Sequence, residues 1–312
     1  MTDEILVIGH KNPDNDAISS AIGFAFFQNV LSKRRKQADV CVPVRLGPLP
    51  PETEWNLKMN NIDVPMLIDH VDPGQRVMIV DHNELPQAAD GVEDAEVIEV
   101  VDHHRIGGVT TPGPIFMTLR PWGSTATIIT WLCRRHEVGI PTGLANLLLG
   151  AILTDTVMLK SPTTTDSDYE QIAYLEAIGG RPYEEFGLEL FKCRGDDSTT
   201  PIDKLVAADA KEYEFGDSHI LIAQHETFAV PDTLAREEEI RAYMRTLQKE
   251  NDYRFVLFVA TDILKEGSSF MVEGDHTVVD EVFNIKTASE PVWMSDVMSR
   301  KKQIAAPLLA WL

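Results

Sequence analysis

Short apolar runs rich in valine and isoleucine alternate with longer stretches whose apolar positions recur at helical spacing. Residues 4–9, "EILVIG", 40–46, "VCVPVRL", 77–80, "VMIV", and 97–101, "VIEVV", read as buried strands. Helices are expected over 16–31, 52–60, 124–137, 143–154, 167–178 and 183–192. Strands alternating with helices predict a mostly parallel sheet with flanking helices on both faces. In such sheets ligands gather at the carboxyl ends of the strands. The polar stretch "KCRGDDSTTP" at 192–201 breaks the pattern and reads as a connection between domains. Beyond it, "EYEF", "HILIAQHET", a charged helix from about 233 to 250, "FVLFVATD" and "SSFMVEG" predict a smaller C-terminal α/β domain. The expected organisation is an N-terminal domain over 1–191, a linker over 192–200 and a C-terminal domain over 201–312.

No apolar run approaches the roughly 20 residues that span a bilayer, so no membrane partner is expected. The start, "MTDEILVIGH", has no basic region and reads as a first strand rather than a signal peptide. The three cysteines are scattered and form neither a disulfide framework nor a thiolate metal motif. They suit a reducing cytoplasm. The formal net charge of −21 opposes binding to nucleic acid. An anionic substrate must therefore meet a local positive centre, and bound cations are the strongest local charges available.

Four stretches carry the candidate chemistry. "VIGHKNPDND" holds His10, Asp14 and Asp16; "MIVDHN" holds Asp81, His82 and Asn83; "EVVDHHR" holds Asp102, His103 and His104; "LGAILTDT" ends a helical segment with Asp155. Three of them follow strands, where side chains from separate strands converge. Taken singly each is weak. An aspartate after a strand is often only a helix cap, and Asp16 before "AISSAIGFAFF" fits that role. Asp166 and "SDYE" at 167–170 look like a cap with a capping box. Isolated histidines such as His70, His136, His219, His225 and His276 read as satisfied surface or core residues.

Together the four stretches mean more. Four or more converging carboxylates repel one another unless cations neutralise them, and two divalent cations balance four aspartates. Oxygen donors with one or two imidazoles suit manganese, cobalt or magnesium. His103 and His104 are adjacent, so on an extended chain they face opposite sides; one can ligate a metal while the other meets a phosphate. The basic runs "LSKRRKQ", 31–37, and "MSRKKQ", 298–303, read as solvated surface by spacing alone.

The stretches "GHKNPDNDAI", "DHNE", "VVDHHR", "AILTDTVMLKSPT", "DAKEY" and "SRKKQ" run in this order from residue 9 to residue 303. In them the chain resembles the family II, manganese-preferring inorganic pyrophosphatases of the DHH phosphoesterase superfamily. "DHH" alone marks the superfamily; "DAKEY" with "SRKKQ" narrows it. The resemblance implies a catalytic DHH domain holding two manganese ions and a DHHA2-like domain binding substrate. It makes His10 and Asp14 ligands of one ion, Asp16 and His103 ligands of the other, Asp81 the bridge, and Asp155 the completing ligand. It also makes His104, Lys211, Arg300 and Lys301 contacts to substrate phosphate, which turns "SRKKQ" from surface into a clamp. Further magnesium would arrive with pyrophosphate. A homodimer is implied as well. The expected chemistry is attack on one phosphorus by a cation-activated water, with the domains closing to exclude bulk water.

Other DHH phosphodiesterases usually carry a "GGGH"-type stretch in the second domain. Here the nearest match is "EGDH" at 273–276, which departs from it. An exopolyphosphatase is chemically nearer and less cleanly separated by sequence. A non-enzymatic binding protein on the same scaffold would be expected to have lost ligands, and every proposed ligand is present.

Overall fold

The computed structural model describes residues 4–193, 195, 197–207, 209–216 and 218–311. The chain divides into two compact units, Met1–Arg194 and Gly195–Leu312.

The first unit runs β1 (Glu4–Ile8), α1 (Asn15–Arg35), β2 (Val40–Arg45), α2 (Pro51–Met59), β3 (Met66–Leu67), β4 (Arg76–Val80), β5 (Glu96–Asp102), β6 (Phe116–Leu119), α3 (Thr125–Arg135), α4 (Thr142–Asp155), α5 (Asp166–Gly179) and α6 (Tyr183–Lys192). The sheet order is β3-β2-β1-β4-β5-β6, and every pairing is parallel. This is the parallel sheet that the alternation predicts. Val7, Ile8, Ile79, Val80, Val100 and Val101 are all buried. Burial on both faces is why these strands read as unbroken apolar runs. The sheet grows from β1 through β2 to β3, then restarts on the other side with β4. The crevice at that reversal, between the carboxyl ends of β1 and β4, is where such folds bind ligands.

Helix α1 is longer than its apolar pattern suggests. The basic run after Leu31 forms its last turn, where cations complement the carbonyl end of the helix dipole. Lys36 then closes it in the left-handed conformation, φ 57°. Helix α4 is buried from Leu144 through Thr154 and packs against α1, α3 and α5. The short strands β3 and β6 were not expected, because two and four residues carry too little periodicity to register.

The second unit runs α7 (Ile202–Ala207), β7 (Ala210–Phe215), β8 (Ser218–Thr227), α8 (Val230–Leu234), α9 (Glu237–Glu250), β9 (Tyr253–Asp262), β10 (Gly267–Gly274), α10 (Thr277–Phe283), β11 (Val292–Ser295), a π-helical turn over Arg300–Ala305 and α11 (Ala306–Ala310). Its sheet order is β11-β10-β9-β8-β7; only β8 and β9 run parallel among the described strands. Ile222, Leu257 and Phe270 pack with Ile304 on one face. Val256, Phe258 and Met271 pack with Ile240 and Met244 on the other. The charged helix expected over 233–250 is two helices. The chain breaks at Ala235–Arg236, where the Arg236 guanidinium turns to bond the carbonyls of Asp197 and Thr200. Of the expected linker, Arg194 and Asp196 lie outside the described residues. Asp197 is buried and accepts from His225, Thr227 and Thr233.

One contact ties α1 to the sheet with particular economy. The Asn29 amide donates to the Cys41 carbonyl and accepts from the Cys41 N–H, both at 2.8 Å. It serves β2 as a neighbouring strand would, at a point that β3 does not reach. Asn29→Ala leaves two backbone groups without partners. It should lower stability by about 1–3 kcal/mol in urea unfolding of metal-free protein; an unchanged midpoint would show that water replaces the amide at no cost.

Candidate metal centre

Three loops leave the carboxyl ends of β1, β4 and β5 and deliver His10, Asp81 and His103 to one place. Helix α1 adds Asp14 and Asp16 from its start, and α4 adds Asp155 from its last turn. The donor atoms fall into two main groups, each within 4.8 Å: His10, Asp14 and Asp81; and Asp16, Asp81, His103 and Asp155. Asp81 belongs to both. Its Oδ2 lies 3.5 Å from His10 Nε2, and its Oδ1 lies 3.4 Å from His103 Nε2. Asp14 Oδ1 stands 3.6 Å from His10 Nε2, and Asp155 Oδ2 stands 3.3 Å from His103 Nε2.

The backbone is bent to this purpose. Asp81 is buried and has φ +62°, a left-handed conformation that non-glycine residues adopt at a cost. Such outliers persist where surrounding structure fixes them, commonly at functional sites. Here the Asp81 N–H donates to Val101 O at 3.0 Å and the carboxylate accepts from Thr125 Oγ1 at 2.9 Å.

Both ligating imidazoles are oriented from behind. Nδ1 of His10 donates to Lys11 O at 2.8 Å, and Nδ1 of His103 donates to Trp122 O at 3.0 Å. Each Nε2 is left facing carboxylates. This is the pattern by which protein fixes the tautomer of a metal-binding histidine. His103 Nε2 is buried and forms no hydrogen bond of good geometry among the described residues. A divalent cation satisfies such an atom and neutralises the surrounding aspartates, so the donor set fits hard or borderline divalent metals.

Asp16 departs from the role its sequence suggests. The cap of α1 is Asp14, which accepts from Ala17 N at 2.9 Å. Asp16 lies two residues further on, still in the first turn, fully buried, and accepts from Thr125 N at 2.7 Å and Ala126 N at 3.0 Å. It therefore serves the first two N–H groups of α3, whose own cap is Ser124, rather than the start of its own helix. The cap of α5 is likewise Thr165 with Asp168 as its box partner, one residue before the expected Asp166.

His104 stands at the edge of the cluster rather than on the opposite side from His103. The two rings are 4.2 Å apart, its Nδ1 is 3.9 Å from Asp81 Oδ1, and it forms a third donor group with Asp81 and His103. Its Nδ1 donates to Asp102 Oδ1 at 2.9 Å, and the side chain is half exposed. Asp102 is buried and also accepts from Asn83. The remaining expected residues lie in the second unit. Arg300 pairs with Asp209 Oδ1 at 2.7 Å and donates to the Asp209 carbonyl. Its own N–H is held by Gln224 Oε1 at 3.2 Å, while the Gln224 amide also bonds Thr261 and Met298. Lys211 is exposed on β7, two residues beyond Asp209, with its ammonium 5.6 Å from the Tyr213 ring. Lys301 is exposed.

Residues 4–152 match the N-terminal domain of the DHH family, and residues 188–311 match the DHHA2 domain. The manganese-dependent inorganic pyrophosphatase of Methanocaldococcus jannaschii is 37% identical over 311 residues, 97% of each chain. The chain belongs to the family II inorganic pyrophosphatases. A crystal structure assigned to this family from Methanococcus jannaschii superposes with TM-score 0.59 at 36% identity, covering 98% of both chains. An exopolyphosphatase-related protein of Bacteroides fragilis shares the fold at TM-score 0.51 and 15% identity, covering 99% of this chain and 92% of its own.

Thr125, Trp122 and Gln224 were not singled out by sequence. Thr125 bonds Asp81 and Asp16 at once, and Trp122 acts through a carbonyl that any residue possesses. In "WGSTAT" the serine and threonines read as a helix start, which they are; nothing in the string tells which carboxylate that start receives.

Electrostatics show how the cluster is balanced without metal. Burial disfavours a charged His10, but hydrogen bonds to Asp14 and Asp81 raise it to about 11. Burial opposes a charged His103 likewise, and Asp155 and Asp81 raise it to about 12. Asp81 is buried, yet its two imidazole partners hold it well below the usual carboxylate range. Asp155 is pushed up to about 6 by burial and by Asp81. Asp16 is pushed up by burial and by Asp81 and Asp155. Protons on His10 and His103 thus occupy the place of cations. Metal loading near pH 7 should release about two protons, measurable by calorimetry in buffers of different ionisation enthalpy. Because protons compete for the same nitrogens, apparent affinity should rise with pH through the neutral range. Proton-neutral binding would show that both imidazoles are already neutral before the metal arrives and would overturn this balance of charge.

Proposed function

We propose that this protein hydrolyses inorganic pyrophosphate to two orthophosphates by means of two bound divalent cations, with manganese preferred. The observation that carries the reading is Asp81, whose two oxygens face two separate donor sets in a chain of this family. His10, Asp14 and Asp81 would hold one ion; Asp16, Asp81, His103 and Asp155 would hold the other. Cobalt and magnesium suit the same donors, and further magnesium would accompany the substrate. Two such ions supply Lewis-acid chemistry, lowering the pKa of water and neutralising phosphate oxygens.

The chain's own residues supply the rest. Asp102 raises the affinity of His104 for a proton and occupies its Nδ1, so Nε2–H can donate to a phosphate oxygen. Arg300, Lys301 and Lys211 would meet the charge that builds on the phosphoryl and leaving groups. The present partner of Arg300, Asp209, is largely exposed. Exposed ion pairs are weak, and a phosphate offers the guanidinium a stronger, charge-assisted partner. Gln224 holds the backbone at Arg300, so the exchange moves a side chain and not the turn that carries it.

On this reading residues 1–191 form the catalytic domain, 192–200 the linker and 201–312 the substrate-binding domain. The substrate is small and inorganic, with no nucleic acid or membrane partner. No helix among the described residues is long and apolar enough to cross a membrane. A cytoplasmic homodimer agrees with the family.

Metal-stripped protein resupplied with manganese should release phosphate rapidly from pyrophosphate. It should release little from long-chain polyphosphate, a cyclic dinucleotide or a single-stranded oligonucleotide. Cleavage of the nucleotides with pyrophosphate left intact would overturn the substrate and keep the metal site. Asp81→Asn should all but abolish hydrolysis at saturating manganese; near-normal turnover would remove Asp81 as the bridge. Arg300→Ala should raise KM and lower kcat while manganese binding is unchanged, and lost manganese affinity would contradict its assignment to substrate.

A further inference from the structure

Asp168 is completely buried, carries no cationic partner among the described residues, and lies on α5 away from the donor groups. As the third residue of a capping box it accepts from Thr165 N and Thr165 Oγ1, each at 2.7 Å. A capping box needs no more than these reciprocal bonds with the cap. Asp168 accepts three further bonds that the box does not explain. Gly123 N lies 3.1 and 2.9 Å from its two oxygens, and Thr127 Oγ1 lies 2.6 Å from Oδ1.

Those bonds reach the turn that orients the metal centre. Trp122, before Gly123, gives its carbonyl to His103 Nδ1. Two residues after Gly123, Thr125 gives its N–H to Asp16 and its hydroxyl to Asp81. Ala126 N completes the hold on Asp16. Gly123 also lies against Thr156, the residue directly after Asp155. A Cβ at Gly123 would stand 2.5 Å from Thr156 Cγ2 and 2.7 Å from Asp168 Oδ2. The turn is therefore bonded to the Asp168 carboxylate and packed against the residue that follows α4, with no room for a methyl group.

We propose that Asp168 is a positioning residue for the metal centre: it fixes the turn 122–125, and through that turn the imidazole of His103 and the carboxylates of Asp16 and Asp81. This rests on the two-cation reading above. A carboxylate suits the position because every group converging on it is a donor. An amide would place N–H against N–H and push the turn away.

The test compares wild-type, Asp168→Asn and Thr165→Ala proteins, each stripped of metal. Manganese affinity is read by calorimetry and thermal unfolding is followed without metal. Thr165→Ala breaks the cap of α5 and leaves the Gly123 bonds intact. It should lower the melting temperature and leave manganese affinity as in wild type. Asp168→Asn should weaken manganese binding about tenfold, the scale of losses seen when outer-shell partners of metal ligands are removed. Its kcat should fall with KM for pyrophosphate nearly unchanged. Should that variant fail to fold, Gly123→Ala keeps the Thr165 bonds while displacing the turn, and it should show the same loss of affinity. Wild-type affinity in Asp168→Asn, or in Gly123→Ala when that variant stands in, would reduce Asp168 to a helix cap and sink the inference alone. Wild-type protein that takes up no manganese would overturn the metal-centre reading and the inference with it.

Discussion

A buried carboxylate with an imidazole at each oxygen is the constraint from which the rest of the first unit follows. Asp81 has almost no exposure, and Asp16 has none. Placing them beside Asp14 and Asp155 sets negative charge where water screens it poorly, so each member must find positive charge or shed its own. Without metal the protein does both: the imidazoles hold protons while Asp16 and Asp155 are pushed toward neutrality. The cluster is held ready by protons that a metal can displace. That arrangement is unstable in charge but fixed in shape, and the fold supplies the fixing.

It does so chiefly with backbone. The start of α3 gives two N–H groups to Asp16, groups that have no partner inside their own helix. The carbonyls of Lys11 and Trp122 set the ring nitrogens. The left-handed turn at Asp81 aims its side chain between the two histidines. These groups barely reorganise when charge changes: two belong to a helix start and a strand end, and the loops at Lys11 and Trp122 are pinned by their own N–H groups, which bond Gln87 O and Arg120 O. Side chains could rotate away; a strand end in the middle of a parallel sheet does not.

Much of this was legible in the sequence, and what was not has identifiable causes. The parallel first sheet could be read because Val7, Val80 and Val101 lie in runs buried on both faces. The donors could be read because histidine and aspartate follow those runs directly. Asp16 was legible as a capping aspartate, but which helix start it serves depends on how α1 meets α3, a contact between residues more than a hundred positions apart. Asp168 was legible as part of a capping box; its bonds to Gly123 cross 45 positions of sequence and are equally invisible to local pattern. Local rules see the role a residue plays toward its own helix and are blind to a second one. Strands β3 and β6 escaped for a different reason, since they exist only because a longer neighbour offers them an edge.

The order of strands in the first sheet has a consequence for how the protein comes to be. Leu6 of β1 lies opposite Val77 of β4, while β2 takes the other side. Strand β1 therefore waits for β4, about seventy residues later in the chain, before both of its edges are covered. Closure of so distant a contact is slow, because the entropy of a long loop is spent before any bond repays it. The metal donors straddle the same gap, from His10 to Asp155. A cation that binds only after these strands have met acts as a late fastening, tightening by mass action a topology that the chain must first find unaided.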